Sequence, residues 1–428
     1  MTPPTPTPRG RLRNPWWIPP FLGRVPEGVE SRHLSLLGAV AFALIFEEYD
    51  LAMITTVLKF IKEDFGVAEH DLPGYLGIVR LGAIPAIFLI PYADRIGRRR
   101  TFLLSIVASA LATFATGFSW SIESFVVFQM IVRATFIAGV SVAYVLVAEE
   151  YPAEHRGWGM GVLAALGATG YGLEAGLFSQ IEHLPYGWRS LYWIGAVPLL
   201  LLPIFRRTIP ETKRFEQHQA ENQPGTGLRE ALVDLAHLAR SRRFLGLTIC
   251  MMALGFAGVA AFQFTAYYTM DVLGWSPGRY ATVLVVGGAF GIVGNVVAGS
   301  LGDRVGRRWV GASCLAGFPV FVALFYWGPG WAVPLTWVGF VFTSSGGRMI
   351  LRAFSTELFD TEGRGAATGW MMLVEVVASA VGLFVLNYYS TTQGDLARLT
   401  PYLSLATLVA GVVLMGFPET RRRELDTI

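Results

Sequence analysis

The sequence predicts an all-α membrane protein with 12 transmembrane helices, arranged as two parallel-repeat six-helix bundles. Three observations predict it. The chain is too apolar for a water-facing surface, it contains a dozen apolar runs of spanning length, and three motif pairs recur at one offset.

Of 428 residues, 53% are hydrophobic and 15% charged, and the mean hydropathy is +0.48. Soluble domains carry about 25% charged residues, so the outer surface of this chain needs lipid as its solvent. A net charge of +3, with no basic run interleaved with aromatics, argues against a nucleic-acid partner. Cys250 and Cys314 both lie in apolar runs, show no metal-ligand spacing and read as packing residues. Residues 1–30 are rich in Pro and Arg and lack the apolar core of a secretory signal, so the first helix is expected to deliver the chain to the bilayer.

A spanning helix needs about 20 apolar residues. The runs fall at 34–58, 74–93, 101–120, 123–148, 157–181, 189–205, 244–270, 279–302, 309–328, 331–356, 365–390 and 399–417. The expected organisation is a disordered arm over 1–33 with Trp16-Trp17 as an interfacial anchor, bundles over 34–205 and 244–417, a central loop over 206–243 and a tail over 418–428. Within the central loop, Leu228 to Leu238 has the pattern of an amphipathic surface helix. The 34 Lys and Arg residues divide as 25 on one side, 5 on the other and 4 inside helices. The richer side holds both termini, so the positive-inside rule makes it cytoplasmic, in a cytoplasmic or inner membrane.

The tail of helix 2 reads Asp94-Arg95-Ile96-Gly97-Arg98-Arg99, and that of helix 8 reads Asp303-Arg304-Val305-Gly306-Arg307-Arg308, an offset of 209. Arg156-Gly157 after helix 4 matches Arg364-Gly365 after helix 10. Pro210-Glu211-Thr212 after helix 6 matches Pro418-Glu419-Thr420 after helix 12, both at an offset of 208. A tandem duplication of a six-helix unit accounts for all three. An even number of spans per unit makes the repeats parallel.

The duplicated DRxGRR loop, the Glu and Arg-Gly elements after helices 4 and 10 and the repeated PET resemble the major facilitator superfamily. Within it they are similar to the sugar porter and metabolite:proton symporter group, over nearly the whole chain beyond residue 34. The resemblance implies a secondary transporter whose two bundles rock about a central cavity. It implies no cofactor, an ion gradient (protons) as driving force, a small-molecule solute, the lipid bilayer as surroundings and a monomer. Helix 7 offers only Gln263 where sugar porters carry a Gln pair, which favours another polar metabolite, a small organic anion, over sugar.

Charges inside helices cost about 2.5 kcal/mol or more each and mark pathways. Here they are Glu47, Glu48, Asp50, Arg80, Arg133, Glu174, Arg348, Arg352 and Glu375, and none has its like at the repeat offset. They belong to an off-symmetric solute path rather than to shared architecture. Glu47 and Asp50 lie three apart on one helix face, and the stretch resembles the helix 1 signatures of sugar porters and aromatic-acid symporters. That resemblance implies Asp50 as proton site, with Glu47 beside it and Arg133 of helix 4 as its switchable partner. A permanent salt bridge is the structural alternative. Arg348 and Arg80 suit carboxylate recognition, with Glu174 and Glu375 as further substrate contacts. Alternatively, the two arginines only neutralise those two acids. Gln263, Tyr267, Tyr171 and Asn295 complete the candidate pocket. Arg352, nearer the basic end, reads as a gate or topology residue.

At the basic helix ends, Asp94, Arg98, Glu149 and Arg156, with Asp303, Arg307, Glu357 and Arg364, have the chemistry of a latch. Charge-assisted bonds between the halves would form when the inner gate shuts. Gly287, Gly291 and Gly299 in helix 8, and Gly157 and Gly161 in helix 5, read as close-packing positions. Three rivals to a proton symporter of an organic anion stand beside it: a uniporter, an exporter, and a transporter-like sensor. No Gly-Pro pair in helix 5 supports export, short loops argue against sensing, and no nucleophile–base or metal constellation suggests an enzyme.

Overall fold

The computed structural model describes residues 13–86, 96–152, 154–211, 237–358, 361–392 and 394–419. Among the described residues twelve helical segments stand where the spans were expected: α1 Ser31–Thr56, α2 Leu72–Leu81, α3 Arg98–Thr116, α4 Ile122–Glu150, α5 Arg156–Phe178, α6 Trp188–Thr208 and α7 Arg242–Val272. They continue with α8 Pro277–Val305, α9 Arg307–Trp327, α10 Val333–Glu357, α11 Thr361–Tyr389 and α12 Asp395–Met415. Eight of these (α4 to α9, α11 and α12) are long and apolar enough to cross a membrane. In α1 the three carboxylates at 47, 48 and 50 interrupt the apolar run, and residues 87–95, which follow α2, lie outside the described residues.

The helix starts follow capping chemistry. Ser121 accepts from the Ser124 N–H and Ser124 returns the bond to the Ser121 N–H, which closes a capping box at α4. Ser276 caps α8 with Pro277 at its first position, where the missing N–H costs nothing. Two spans are broken. Turns around Ala196 and Leu201 divide α6 into Trp188–Ile194, Val197–Leu200 and Leu202–Thr208. In α7 the α-helix ends at Gln263, and a π-helical turn, Tyr268–Val272, follows. Such turns change the direction of the last side chains and cluster at functional positions.

Large apolar side chains stay exposed along the outward faces, among them Leu111 on α3, Val293 and Val296 on α8, Val320 on α9 and Val412 on α12. In water this would be a liability, whereas in lipid it is the expected surface.

The packing repeats with the sequence. In the first half α1 packs on α5, and α4 on α2 and α3. In the second, α7 packs on α11, and α10 on α8 and α9. The halves touch through α2 against α11 and α5 against α8, again a pair related by a step of six helices. The PET motif has a local use in both halves. Glu211 accepts from the Arg99 N–H at 3.1 Å, and Glu419 from the Arg307 N–H at 2.8 Å. Each therefore places a carboxylate on the first turn of α3 or α9, where free N–H groups favour it. The chain reaches each of those turns through a glycine, Gly97 (φ 103°) or Gly306 (φ 128°), a conformation other residues rarely adopt.

The two faces of the molecule differ. On the far face, opposite the termini, one apolar cluster draws on both halves, with Tyr49, Met53, Leu76 and Phe178 against Phe264, Tyr267, Tyr280 and Leu383. Toward the basic face each half has its own cluster, one around Leu37, Val147 and Leu163, the other around Leu254, Leu351 and Phe354. Among the described residues the bundles therefore share one apolar core on the far face and have separate ones at the basic face.

Two expectations need correction, on the N-terminal arm and on the packing glycines, and one short helix adds to the picture. Residues 13–30 are not a loose arm. Ile18, Val25 and Val29 are buried with α1 and α5, Asn14 bonds Gly23 and Val25, and Trp17 lies against Gly38 while Trp16 stays exposed. Three apolar residues in a Pro-rich stretch suffice to dock it. Between α1 and α2 the far-face chain forms a short amphipathic helix, Leu58–Phe65, with Leu58 and Ile61 inward. Finally, Gly157 and Gly161 face open space, and the close approach of α5 to α1 is at Gly170, where a Cβ would lie 2.8 Å from the Tyr49 nitrogen. Gly287 and Gly291 do pack, against Trp337 and Val341, whereas at Gly299 the nearest side chain is at 3.8 Å. The stretch Leu228 to Leu238, down to residue 236, lies outside the described residues.

Candidate functional site

At mid-depth, between the halves, Tyr171 of α5 is the meeting point. It is 38% exposed and lies within the electrostatic reach of Glu48, Arg133, Arg80 and Arg348. The three guanidiniums come from α4, α2 and α10, and Arg80 feels both of the others. Like charges this close in a low-dielectric interior repel strongly, so their partners decide what the site does. Arg80 donates to Gln263 Oε1 at 3.0 Å across the halves, a neutral acceptor that leaves its charge intact. Arg348 is paired with Glu375 of α11. Arg133 makes no hydrogen bond or ion pair among the described residues, with Asp50 and Glu48 near it but not bonded.

The carboxylates of α1 divide by helix phase. Asp50 accepts from Thr113 Oγ1 at 2.9 Å and turns toward α3. Glu47 shares that face and sits deeper in the first bundle, neither oxygen having a hydrogen-bond partner among the described residues. A Cβ on Gly139 would be 2.6 Å from its Oε1. Beside it is a cavity of about 10 Å³ lined by Phe46, Ser109, Thr113 and Pro198, room for about one water. Glu48, one residue on, points the other way, to Tyr171 and Arg133. It is the carboxylate of α1 that faces the centre, and its position 100° around the helix from Glu47 is the signal that could have singled it out.

The other residues of the predicted pocket disperse. Glu174 is fully buried in the far-face seal, receiving Thr56 Oγ1 at 2.5 Å. It is not the partner of Arg80. Gln263 also holds the Ile54 carbonyl and Thr55 across the interface. The Tyr267 hydroxyl donates to Glu69 and accepts from Lys62, which places it in the far-face closure rather than in the pocket. Asn295 is exposed and makes no hydrogen bond among the described residues.

That far-face closure was not foreseen. Lys62 bonds Asp271 at 3.3 Å, Lys59 reaches the same carboxylate at 3.9 Å, Glu69 accepts from the Gly394 N–H, and Asn387 accepts from the Gly74 N–H at 2.8 Å. All four contacts join the two halves. On the basic face the observed pairs run within a half: Arg98 to Glu149 at 3.4 Å and Arg307 to Asp303 at 3.2 Å. Arg156 is exposed at the start of α5. Asp94 lies outside the described residues, as do the side chains of Glu357 and Arg364.

Comparison with known proteins agrees with this architecture. The family model of the Major Facilitator Superfamily matches residues 40–383. The cis,cis-muconate transport protein of Acinetobacter baylyi is 26% identical over 385 residues, 87% of this chain and 91% of that protein. The gallate transporter of Pseudomonas putida is 23% identical, over 90% of this chain and 92% of its own. Among solved structures, the xylose transporter XylE from E. coli in its inward open conformation superposes with a TM-score of 0.71 at 17% identity. That match covers 92% of this chain and 98% of the other, a likeness of fold. Twelve helical segments, a duplicated loop motif and a family match over most of the length make this chain a multi-pass membrane transporter, not an enzyme, and a member of the major facilitator superfamily.

Proposed function

We propose that the protein is a secondary active transporter of a small organic acid, taken as its carboxylate together with protons, in a cytoplasmic or inner membrane with both termini cytoplasmic. The observation that carries this reading is the convergence of Arg80, Arg133 and Arg348 on Tyr171 between the two halves, with Arg133 bonded to no described residue. A planar guanidinium matches a carboxylate with two parallel bonds. A solute anion there meets a guanidinium, Arg133, that no described residue bonds directly. The relatives named for muconate and gallate, both carboxylates, favour the same class.

In the proposed cycle Asp50 exchanges its proton as the pathway opens to either side. Arg133 is the cation that Asp50 leaves when protonated and approaches when ionised. Thr113 holds the carboxyl meanwhile. Tyr171, Gln263 and Glu48 position the solute. The basic-face set latches across the halves in the opposite state; two of its pairs, Arg98–Glu149 and Arg307–Asp303, lie within a half among the described residues. Proteoliposome uptake of a panel of aromatic acids, aliphatic dicarboxylates, sugars and amines, with and without an imposed pH gradient, tests the reading. Acids should accumulate only with the gradient. Uptake of sugar alone, or acid flux indifferent to the gradient, would refute it. A uniporter with fixed charge pairs is the second reading, favoured by the Arg348–Glu375 pair alone.

A further inference from the structure

Glu375 sits on Arg348, so one of the three central guanidiniums already carries a carboxylate. Both side chains remain partly open, 18% and 30% exposed, and Tyr171 and Arg80 of the other half lie within electrostatic reach of Arg348. Behind them α7 presses close. A Cβ on Gly258 would lie 3.9 Å from Arg348 Nη2, and one on Gly255 would meet the Glu375 carbonyl oxygen at 2.6 Å. Glycines of α7 thus border the Glu375 backbone and the Arg348 guanidinium, and both side chains of the pair keep some exposure. If Glu375 served only to balance charge, Arg80 and Arg133 would call for the same service, yet Arg80 has a neutral partner and Arg133 none among the described residues.

We propose that Glu375 is a built-in competitor: in the empty protein it occupies the place that the solute carboxylate takes on Arg348. Binding is then an exchange of one carboxylate for another. The guanidinium is never left bare in a low-dielectric crevice, and the displaced Glu375 carboxylate, already 18% exposed, turns to the water of the crevice. Release on the basic face is the reverse exchange, with Glu375 retaking Arg348 and displacing the solute. The device selects for solutes with a planar carboxylate, since a neutral analogue has nothing to offer Arg348 in return for Glu375. The inference rests on the carboxylate reading of the proposed function.

The test uses the purified full chain in nanodiscs, with benzoate, gallate and cis,cis-muconate as probes and benzamide as the neutral control, measured by calorimetry. Glu375→Gln keeps the shape and removes the charge. A competitor that holds the site nine-tenths of the time weakens apparent affinity tenfold. The variant should therefore bind whichever acid the wild type binds about tenfold more tightly, and benzamide no better. In transport, KM and kcat should fall together, because release loses its displacing group. A folded Glu375→Gln with unchanged or weaker acid binding overturns the proposal. If that variant does not fold, Glu375→Asp decides: a shortened competitor tightens binding part of the way, while a purely structural pair weakens it. A wild type that binds none of the three acids sinks the carboxylate reading itself, a result distinct from an acid-binding wild type whose Gln variant is unchanged.

Discussion

At the scale of single residues, the three acids of α1 illustrate how one helical turn divides labour. Glu47, Glu48 and Asp50 lie within four positions, yet Asp50 is held by Thr113 of α3, Glu47 is enclosed beside Gly139 and Ser105, and Glu48 looks to Tyr171 and Arg133. If Asp50 carries the coupled proton, Asp50→Asn fixes it in the neutral form and keeps a hydrogen-bond partner for Thr113. Accumulation driven by a pH gradient should disappear, whereas solute exchange across the membrane at equal pH, which needs no net proton movement, should persist. Glu48→Gln touches the solute side and should raise or lower the apparent affinity without abolishing accumulation. The two variants in counterflow and gradient-driven uptake separate the roles. An Asp50→Asn protein that still accumulates solute would move the proton elsewhere.

At the scale of helices, close approach is governed by which face a glycine occupies. At Gly170 a side chain would fall on the α1 backbone, 2.8 Å from the Tyr49 nitrogen and 3.0 Å from Glu48 Cβ, while at Gly161 there is open space. Overpacking a dense contact costs about 1–3 kcal/mol. Gly170→Leu should therefore lower the melting temperature in detergent and displace Glu48, and Gly161→Leu should leave both unchanged. The sequence could show that helix 5 is glycine-rich, but not the phase in which it meets helix 1, because that phase is set by partners distant in the chain. The same limit explains the rest. Helix spans and the duplication were legible because apolar run length and repeated motifs are local signals, and Glu211 and Glu419 sit in matching caps as the repeat implied. The ionisable residues were legible as exceptions to lipid solvation. Glu174 and Tyr267 were grouped with the pocket although they face the far-face seal, since depth in the membrane says nothing about direction. The Lys62–Asp271 and Glu69–Gly394 contacts link residues about two hundred or more positions apart, and no local pattern announces them.

At the scale of the whole molecule, the seal and the open side are two ends of one lever. The far-face cluster shared by both halves, together with Lys62–Asp271, Glu69–Tyr267 and Gly74–Asn387, holds the bundles together there. At the basic face the described apolar clusters are separate, one in each half, the arrangement of a crevice that opens to that side. Alternating access then requires the far-face contacts to break in every cycle. A Cβ on Gly74 would lie 3.1 Å from Asn387 Cγ, so Gly74→Cys with Asn387→Cys places two thiols in reach across the halves. The native Cys250 and Cys314 are buried and free, and interfere little. Oxidation should stop net transport, and reduction should restore it. Acid binding should remain measurable in the oxidised protein, because the central arginines stay open to the basic face. Weakening the same closure with Asp271→Asn should act in the opposite direction, raising the labelling of far-face cysteines. Transport that continues through a fully cross-linked protein would mean that the halves need not part at α2 and α11, and that a rocking motion about the centre is the wrong description of this molecule.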